Sequence, residues 1–458
     1  MKLHVVGERK KRYDGLAHVT GETKYVDDVF VPGTLTVKAF RSPVAKGKIR
    51  DIDTSAAEKL SGVEGVITHM DVPTNAYGLV PDQPVLAATE VRYKGEPIAA
   101  VAAVDEKTAL KAIELIKVEI DEEQPVYDPF EAMKPDAPKV RPEGNIFLIG
   151  GRPNRRVVIG DVEAGFKEAD FIFEEQYQHP PMEHAALEPQ CSLAVPEPTG
   201  KLTIYTVSQA LYFHLGMLAG VLHMKEDDIK CACVTKWAGR TRSSWRGSMG
   251  LSDVKFVGGT VGGGFGGKND IHCDHVTALL ALRTGQPVKW RWTRAEEMLY
   301  STSRGHWNIK IKDGVKKDGR IVARQVTSIH DAGCYTTLSA YVVDKHCYLV
   351  CGPYHIPNAL IEGYCVYTNR PPASSMRGFG VTPATYATEV QMNKIAAKLG
   401  MDPWEIRFIN AYHNGDQLAT QRKLDSVYLI ETMQALAKKA GVSLPEKFMA
   451  MTSAERRD

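Results

Sequence analysis

The sequence predicts an α+β protein made of two bodies joined by a linker. Three observations carry that expectation. A chain of 458 residues, at about 150 residues per domain, makes two to four compact units. Strand-like runs alternate with amphipathic helical ones, and the stretch 126–156 is dense in proline and glycine. Hydrophobic residues make up 43% and charged residues 24%, close to globular averages, which sets aside disordered, collagen-like and fibrous chains.

Residues 1–125 read as a small α+β unit. The stretch 95–104 suits a strand, and Asp105 suits the N-cap of a helix whose apolar face is Ala109, Ala112, Ile113 and Ile116. Residues 126–156 follow Pro125 and hold Pro129, Pro135, Pro138, Pro142, Gly144, Gly150, Gly151 and Pro153, the composition of a linker. The second body, 157–441, mixes strands and helices. A strand is expected over 202–207, and 306–330 reads as strands separated by the turn dipeptides Asp313-Gly314 and Asp318-Gly319. Pro383 sits in the first turn of a helix that continues through Ile395 and Leu399 and stops at Gly400. Asp402-Pro403-Trp404-Glu405 opens the next helix. Residues 442–458 read as a frayed C-terminal tail.

Charge excludes several function classes. With 57 Lys+Arg against 55 Asp+Glu and a net of +2, no global field favours nucleic acid. The first fifteen residues are polar and basic without a following signal core, and apolar runs such as 97–104 are far short of a membrane span. A cytoplasmic protein is expected. The cysteines Cys191, Cys231, Cys233, Cys273, Cys334, Cys347, Cys351 and Cys365 contain no C-x-x-C pair, so they read as reduced, mostly buried thiols rather than iron–sulfur or zinc ligands.

Two segments could carry chemistry. In 257–268, seven of twelve residues are glycine, which frees the backbone to approach a ligand and to aim amides at an anion. Gly262, Gly264 and Gly267 also spell G-x-G-x-x-G, and a Rossmann dehydrogenase stays open as an alternative. Against it, the acidic pair Glu296 and Glu297 lies farther on than the usual ~20 residues. Phe265, set among glycines, can face a bound group. The second segment, Ser374-Ser375-Met376-Arg377-Gly378-Phe379-Gly380, offers a planar donor fork and a stacking face. His272-Cys273-Asp274-His275 reads as a helix start behind the glycine loop, because two ligands do not close a zinc site.

With Val91-Arg92-Tyr93-Lys94-Gly95-Glu96-Pro97-Ile98-Ala99 and Ala397-Lys398-Leu399-Gly400-Met401-Asp402-Pro403, these segments resemble, in order and over nearly the whole chain, the molybdopterin-binding subunits of the xanthine oxidase family of molybdenum hydroxylases. The resemblance implies an α/β hammerhead domain over 1–125, a linker over 126–156 and the first molybdopterin-binding domain over 157–441. It implies that Gln209 hydrogen-bonds the apical oxygen of molybdenum without being a ligand, and that Gly264, Phe265, Gly266 and Arg377 lie along the cofactor. Asn269, Lys345 and Phe379 would contact substrate, Phe379 by stacking.

The departures are informative. Purine-oxidising members carry a glutamate where this chain has Asn269, and an arginine where it has Lys345. The general-base glutamate falls beyond the C-terminal end of this chain, so it is expected on a partner, a division like that of the split large subunit of nicotinate dehydrogenase. The resemblance therefore implies hydroxylation of an electron-poor, nicotinate-like ring with water as oxygen source. The cofactor would be molybdopterin, in its cytosine dinucleotide form, with molybdenum. Partners would be a second molybdopterin-binding subunit, a [2Fe–2S] subunit and an FAD subunit. Alternatives are an aldehyde oxidoreductase or aromatic acyl-CoA reductase of the same family, or a scaffold chain without catalysis. The segment 236–255 looks inserted, and within it Lys236, Arg240, Arg242 and Arg246 beside Trp237 and Trp245 suit anion steering or a subunit contact.

Overall fold

The computed structural model describes residues 7–232 and 260–454; the inserted segment 236–255 lies outside the described residues. The chain forms two compact units, Met1–Glu123 with His184–Ser301, and Gln124–Glu183 with Thr302–Asp458. This division differs from the domain boundaries read from sequence, and one strand explains why. Val288–Arg291 pairs parallel with Leu35–Arg41 and antiparallel with Cys191–Pro196, so a single sheet stitches the N-terminal segment to 184–301.

Among the described residues of the first unit that sheet has seven strands, ordered Ile229–Ala232, Leu202–Thr206, Cys191–Pro196, Val288–Arg291, Leu35–Arg41, Pro97–Ala103 and Val63–Thr68. Pro97–Ala103 has no charged side chain and all but its first residue is buried, as an inner strand requires. The expected cap follows it: the Asp105 carboxylate accepts the Thr108 N–H at 2.7 Å and starts the helix Glu106–Leu115. Trp290, Trp292, Leu280, Leu215 and Ile204 form the main core between the sheet and the helices Leu211–Leu222 and Asp274–Thr284. Those two helices begin just after Gln209 and just after the glycine loop. A smaller sheet joins Glu90–Val91, Gly47–Asp53 and Lys117–Glu122.

The second unit is a five-stranded sheet in the order Arg155–Ile159, Ala359–Tyr367, Ile321–Gly333, Trp307–Val315 and Phe171–His179. Asp318-Gly319 makes the expected turn, with Gly319 at φ 90° and its N–H on the Lys316 carbonyl. Asp313-Gly314 does not. Asp313 is fully buried inside a strand and takes a bidentate ion pair from Arg324, its register partner, at 2.7 and 3.0 Å. Gly314 is required by packing instead, since a Cβ there would stand 2.9 Å from that of Ala169.

The helix Ser339–Leu349 packs on Ala359–Tyr367, and Val381–Leu399 packs on both that helix and Trp307–Val315. Gly400, at φ 67°, ends the long helix, and Asp402 caps the next through the Trp404 N–H at 2.7 Å. Through residue 454 the tail is not frayed as expected: Phe448 stacks on Phe408 with centroids 5.2 Å apart, and buried Ser453 donates to Glu431 at 2.7 Å. Apolar burial of one ring and one satisfied hydroxyl hold it. The proline-rich stretch is likewise pinned. Asn145 accepts the Val140 N–H and donates to the carbonyls of Ala132 and Pro138, while Asn369 accepts the Val126 N–H. Among the described residues no helix is long and apolar enough to cross a membrane, and Cys191, Cys273, Cys334, Cys347, Cys351 and Cys365 are buried free thiols.

Candidate active site: two glycine-flanked aromatic loops

In the first unit, Gln209 follows the strand Leu202–Thr206 and clasps the glycine loop. Its Oε1 accepts the N–H groups of Gly266 at 2.9 Å and Lys268 at 3.3 Å, and its own backbone N–H donates to the Lys268 carbonyl at 2.9 Å. Because two backbone donors fix Oε1, the amide orientation is settled. Among the described residues Nε2 then has no partner and remains an unspent donor on an exposed side chain. The clasp also explains a glycine: a Cβ at Gly264 would lie 2.5 Å from Oε1.

Glu188 ties the two ends of the loop together. Its Oε2 accepts from the Gly262 N–H at 2.7 Å and from Lys268 Nζ at 2.8 Å, and its backbone N–H donates to the Gly262 carbonyl. Burial pushes the Lys268 ammonium below its ordinary range, and the Glu188 carboxylate opposes that shift. Gln190 adds a third tie, its Nε2 donating to the Gly267 carbonyl at 3.0 Å.

What the loop leaves unpaired decides its use. Phe265 stands at φ 51° between Gly263 and Gly266, both at positive φ, a left-handed conformation costing a non-glycine residue about 1–2 kcal/mol. Its ring is half exposed. Among the described residues the N–H groups of Gly263, Gly264 and Phe265 donate to nothing. Three successive amides without a partner among the described residues are donors available to an anion. Asn269 sits at the loop's far end, donating its N–H to the Gly266 carbonyl at 3.3 Å.

Behind the loop, His272-Cys273-Asp274-His275 starts a helix as expected. Asp274 is buried and bonded to His214 Nδ1 at 2.7 Å and Thr206 Oγ1 at 3.1 Å. Burial drives His272 down to about 3 and His275 to about 4, so both rings are neutral packing groups. The Rossmann alternative fails here. The helix begins seven residues after Gly267, its first residue is a buried carboxylate, and the sheet is mixed rather than doubly wound and parallel.

In the second unit, Gly378, Phe379 and Gly380 follow one another at φ 99°, 53° and 89°. The Phe379 N–H closes a turn onto the Met376 carbonyl at 2.7 Å. The Arg377 carbonyl accepts from Arg304 Nη2 at 2.5 Å and Thr382 Oγ1 at 2.9 Å. Lys345, on the helix Ser339–Leu349, holds Nζ 5.7 Å from the centre of the Phe379 ring. Lys345 and Arg377 are exposed, Arg304 is buried, and among the described residues none of the three has a carboxylate partner. Burial alone pushes the Arg304 guanidinium below its usual range.

The structure thus gathers Gln209, Gly264, Phe265, Gly266 and Asn269 in one loop, and Lys345, Arg377 and Phe379 around another. Sequence reasoning missed Glu188, Gln190 and Arg304. The one legible hint for Glu188 was Lys268, a lysine in a glycine-rich turn that needs an anion if it is buried.

A family profile described as "Molybdopterin cofactor-binding domain" matches residues 148–239 and 243–411. A second, "Aldehyde oxidase and xanthine dehydrogenase, a/b hammerhead domain", matches residues 20–124. The chain belongs to the xanthine oxidase family of molybdenum hydroxylases. It is 33% identical to the nicotinate dehydrogenase large molybdopterin subunit of Eubacterium barkeri, over 95% of this chain and 96% of that one. It is 38% identical to a probable xanthine dehydrogenase subunit of Bacillus subtilis, over 86% of this chain but 49% of the relative. The solved aldehyde oxidoreductase of Desulfovibrio gigas superposes with a TM-score of 0.84 at 28% identity, covering 93% of this chain and 46% of that one. The chain therefore spans about half the length of two of these relatives and nearly all of the third.

The residues present fit a molybdopterin of this family. Three free amides and the Gln209 Nε2 donor suit an anionic, oxygen-rich group, and the glycines let the backbone approach it closely.

Proposed function

We propose that this chain is the molybdopterin-binding subunit of a multi-subunit hydroxylase acting on a nicotinate-like N-heteroaromatic carboxylate, with water as oxygen source. The observation that carries this reading is the Lys345 ammonium beside the Phe379 face, with Arg377 and Arg304 likewise lacking a carboxylate among the described residues. A flat apolar surface with an ammonium beside it and two further cations at the same loop matches a flat anion. The full-length similarity to a nicotinate dehydrogenase subunit points the same way.

When bound, the molybdenum cofactor, in its cytosine dinucleotide form, supplies the two-electron oxidation. This chain's own residues do the binding and orienting. Gln209 donates its Nε2 hydrogen toward the cofactor while its Oε1 keeps the loop closed. Phe379 stacks on the ring, Lys345 draws the carboxylate to one edge, and Arg377 adds charge at the same loop. Asn269 offers an amide donor and acceptor but neither an ionisable proton nor a charge, unlike the glutamate of purine-oxidising members. The glutamate acting as general base comes from a second molybdopterin-binding subunit, and electrons leave through [2Fe–2S] and FAD subunits in the cytoplasm.

Purification of the native complex tests this. The expected result is molybdenum with cytidine monophosphate released on acid hydrolysis, co-purifying iron–sulfur and flavin chains, and nicotinate-dependent dye reduction with product oxygen taken from labelled water. Molybdenum with aldehyde turnover and none with nicotinate would move the assignment to an aldehyde oxidoreductase. A complex that turns over normally with Gln209→Ala would leave this chain a scaffold.

A further inference from the structure

Phe379 is held in a costly conformation, and the group that holds it is not in any loop. His346 follows Lys345 on the helix Ser339–Leu349 and is fully buried. Its Nδ1 lies 3.0 Å from the Gly380 carbonyl and its Nε2 lies 2.9 Å from Ser328 Oγ. A carbonyl can only accept, so Nδ1 carries the proton and Nε2 accepts from the Ser328 hydroxyl. The ring is stacked on Trp307 with centroids 4.2 Å apart and planes at 23°, which leaves it no freedom to turn. Burial pushes its pKa down to about 4, so the ring stays neutral near pH 7.

The backbone at Gly380 is fitted to this contact. A Cβ there would meet the Val342 carbonyl at 2.4 Å and His346 Cβ at 3.2 Å, so the loop lies directly on the helix. One residue earlier, Lys345 points its ammonium toward the Phe379 ring. Two adjacent helix residues thus address the same loop, His346 gripping its backbone and Lys345 meeting its aromatic tip.

We propose that His346 is a positioning residue for substrate recognition, its Nδ1–H holding the Gly380 carbonyl so that the Phe379 ring and Lys345 ammonium keep a fixed separation. The proposal rests on reading Phe379 and Lys345 as the substrate contacts. Ser328 completes it by fixing the imidazole tautomer, and Trp307 by fixing the ring plane. Helix, strand and loop are then registered through one side chain.

The test uses the whole complex with three variants. His346→Asn keeps a donor near the Nδ1 position, His346→Leu removes both hydrogen bonds at similar volume, and Ser328→Ala releases the tautomer. Amide hydrogen exchange over 376–382 should rise about tenfold in His346→Leu, rise less in Ser328→Ala, and stay near wild type in His346→Asn. The KM for nicotinate should rise about five- to tenfold in His346→Leu with kcat within about twofold, and be largely restored in His346→Asn. Unchanged exchange and KM in both His346→Leu and Ser328→Ala, whatever their thermal stability, would overturn the proposal. Should His346→Leu fail to assemble, Ser328→Ala against His346→Asn decides alone. Failure of the underlying reading looks different: Lys345→Met and Phe379→Ala would leave KM unmoved while exchange at 376–382 still responds to His346.

Discussion

The glycine loop of the first unit and the Met376–Gly380 turn of the second use the same backbone device with different donors. Each sets a phenylalanine at φ near 50° between glycines. The first is closed by side-chain hydrogen bonds to Gln209, Glu188 and Gln190 and, among the described residues, leaves three amides and one carboxamide donor without a partner. The second leaves Lys345, Arg377 and Arg304 without a carboxylate partner among the described residues. A strained aromatic tip is therefore not specific to one ligand. What decides the ligand is the sign and geometry of the donors each loop fails to satisfy internally.

Acid should act on both units together and is the largest expected effect. His272 and His330 titrate near 3, and His275 and His346 near 4, each lowered by burial. The folded chain keeps these rings neutral, so below about pH 6.5 the unfolded chain binds protons the folded one refuses. Stability held above that pH falls as pH drops toward 4, by up to about 1.4 kcal/mol per pH unit for each ring. Thermal melts of the complex from pH 7.5 to 4.5 should show a monotonic decline, and a flat profile would remove the claim that these rings are neutral.

Lys268→Met separates the loops. It strands the Glu188 carboxylate inside the first unit, at a cost of about 3–5 kcal/mol, a Tm loss on the order of 10 °C, with molybdenum content falling alongside. A variant that melts normally would mean the ion pair does not close the loop.

The glycines give a finer contrast. Gly380→Ala meets a backbone carbonyl at positive φ, whereas Gly264→Ala meets the end of the Gln209 side chain at an ordinary φ. Chemical denaturation should show a loss of about 2 kcal/mol for the first and about 1 kcal/mol for the second. The reverse order would mean that the Gln209 clasp is stiffer than the helix contact.

The smallest effect is where the loops agree. Phe265→Gly and Phe379→Gly should each shift Tm by less than about 2 °C, because relief of roughly 1 kcal/mol of backbone strain offsets lost contacts.

Much of this was legible in the sequence because it is local. Asp105, Gly400 and Asp402 signal caps and stops through chemistry confined to one turn, and the glycine runs mark places where backbone must approach something. Phe265 and Phe379 drew attention as aromatics among glycines, and Gln209 entered by resemblance at a matching position; their roles stand as proposals. Long-range pairing was not legible. Asp313-Gly314 reads as a turn until Arg324 is known to lie opposite it, and the tail reads as frayed until Phe408 is known to receive Phe448. Glu188 and His346 act across 80 and 34 residues on Lys268 and Gly380, and no spacing rule reports contacts that the fold alone creates.

The central claim is that uncompensated cations at the Phe379 loop select an anionic aromatic ring. It is tested most directly by kcat/KM for nicotinate against uncharged nicotinamide, in the native complex and in Lys345→Met. The account predicts that the native complex prefers nicotinate and that Lys345→Met lowers this preference about tenfold, chiefly through KM. Equal use of the two substrates by the native complex, or a preference that survives Lys345→Met intact, would contradict it.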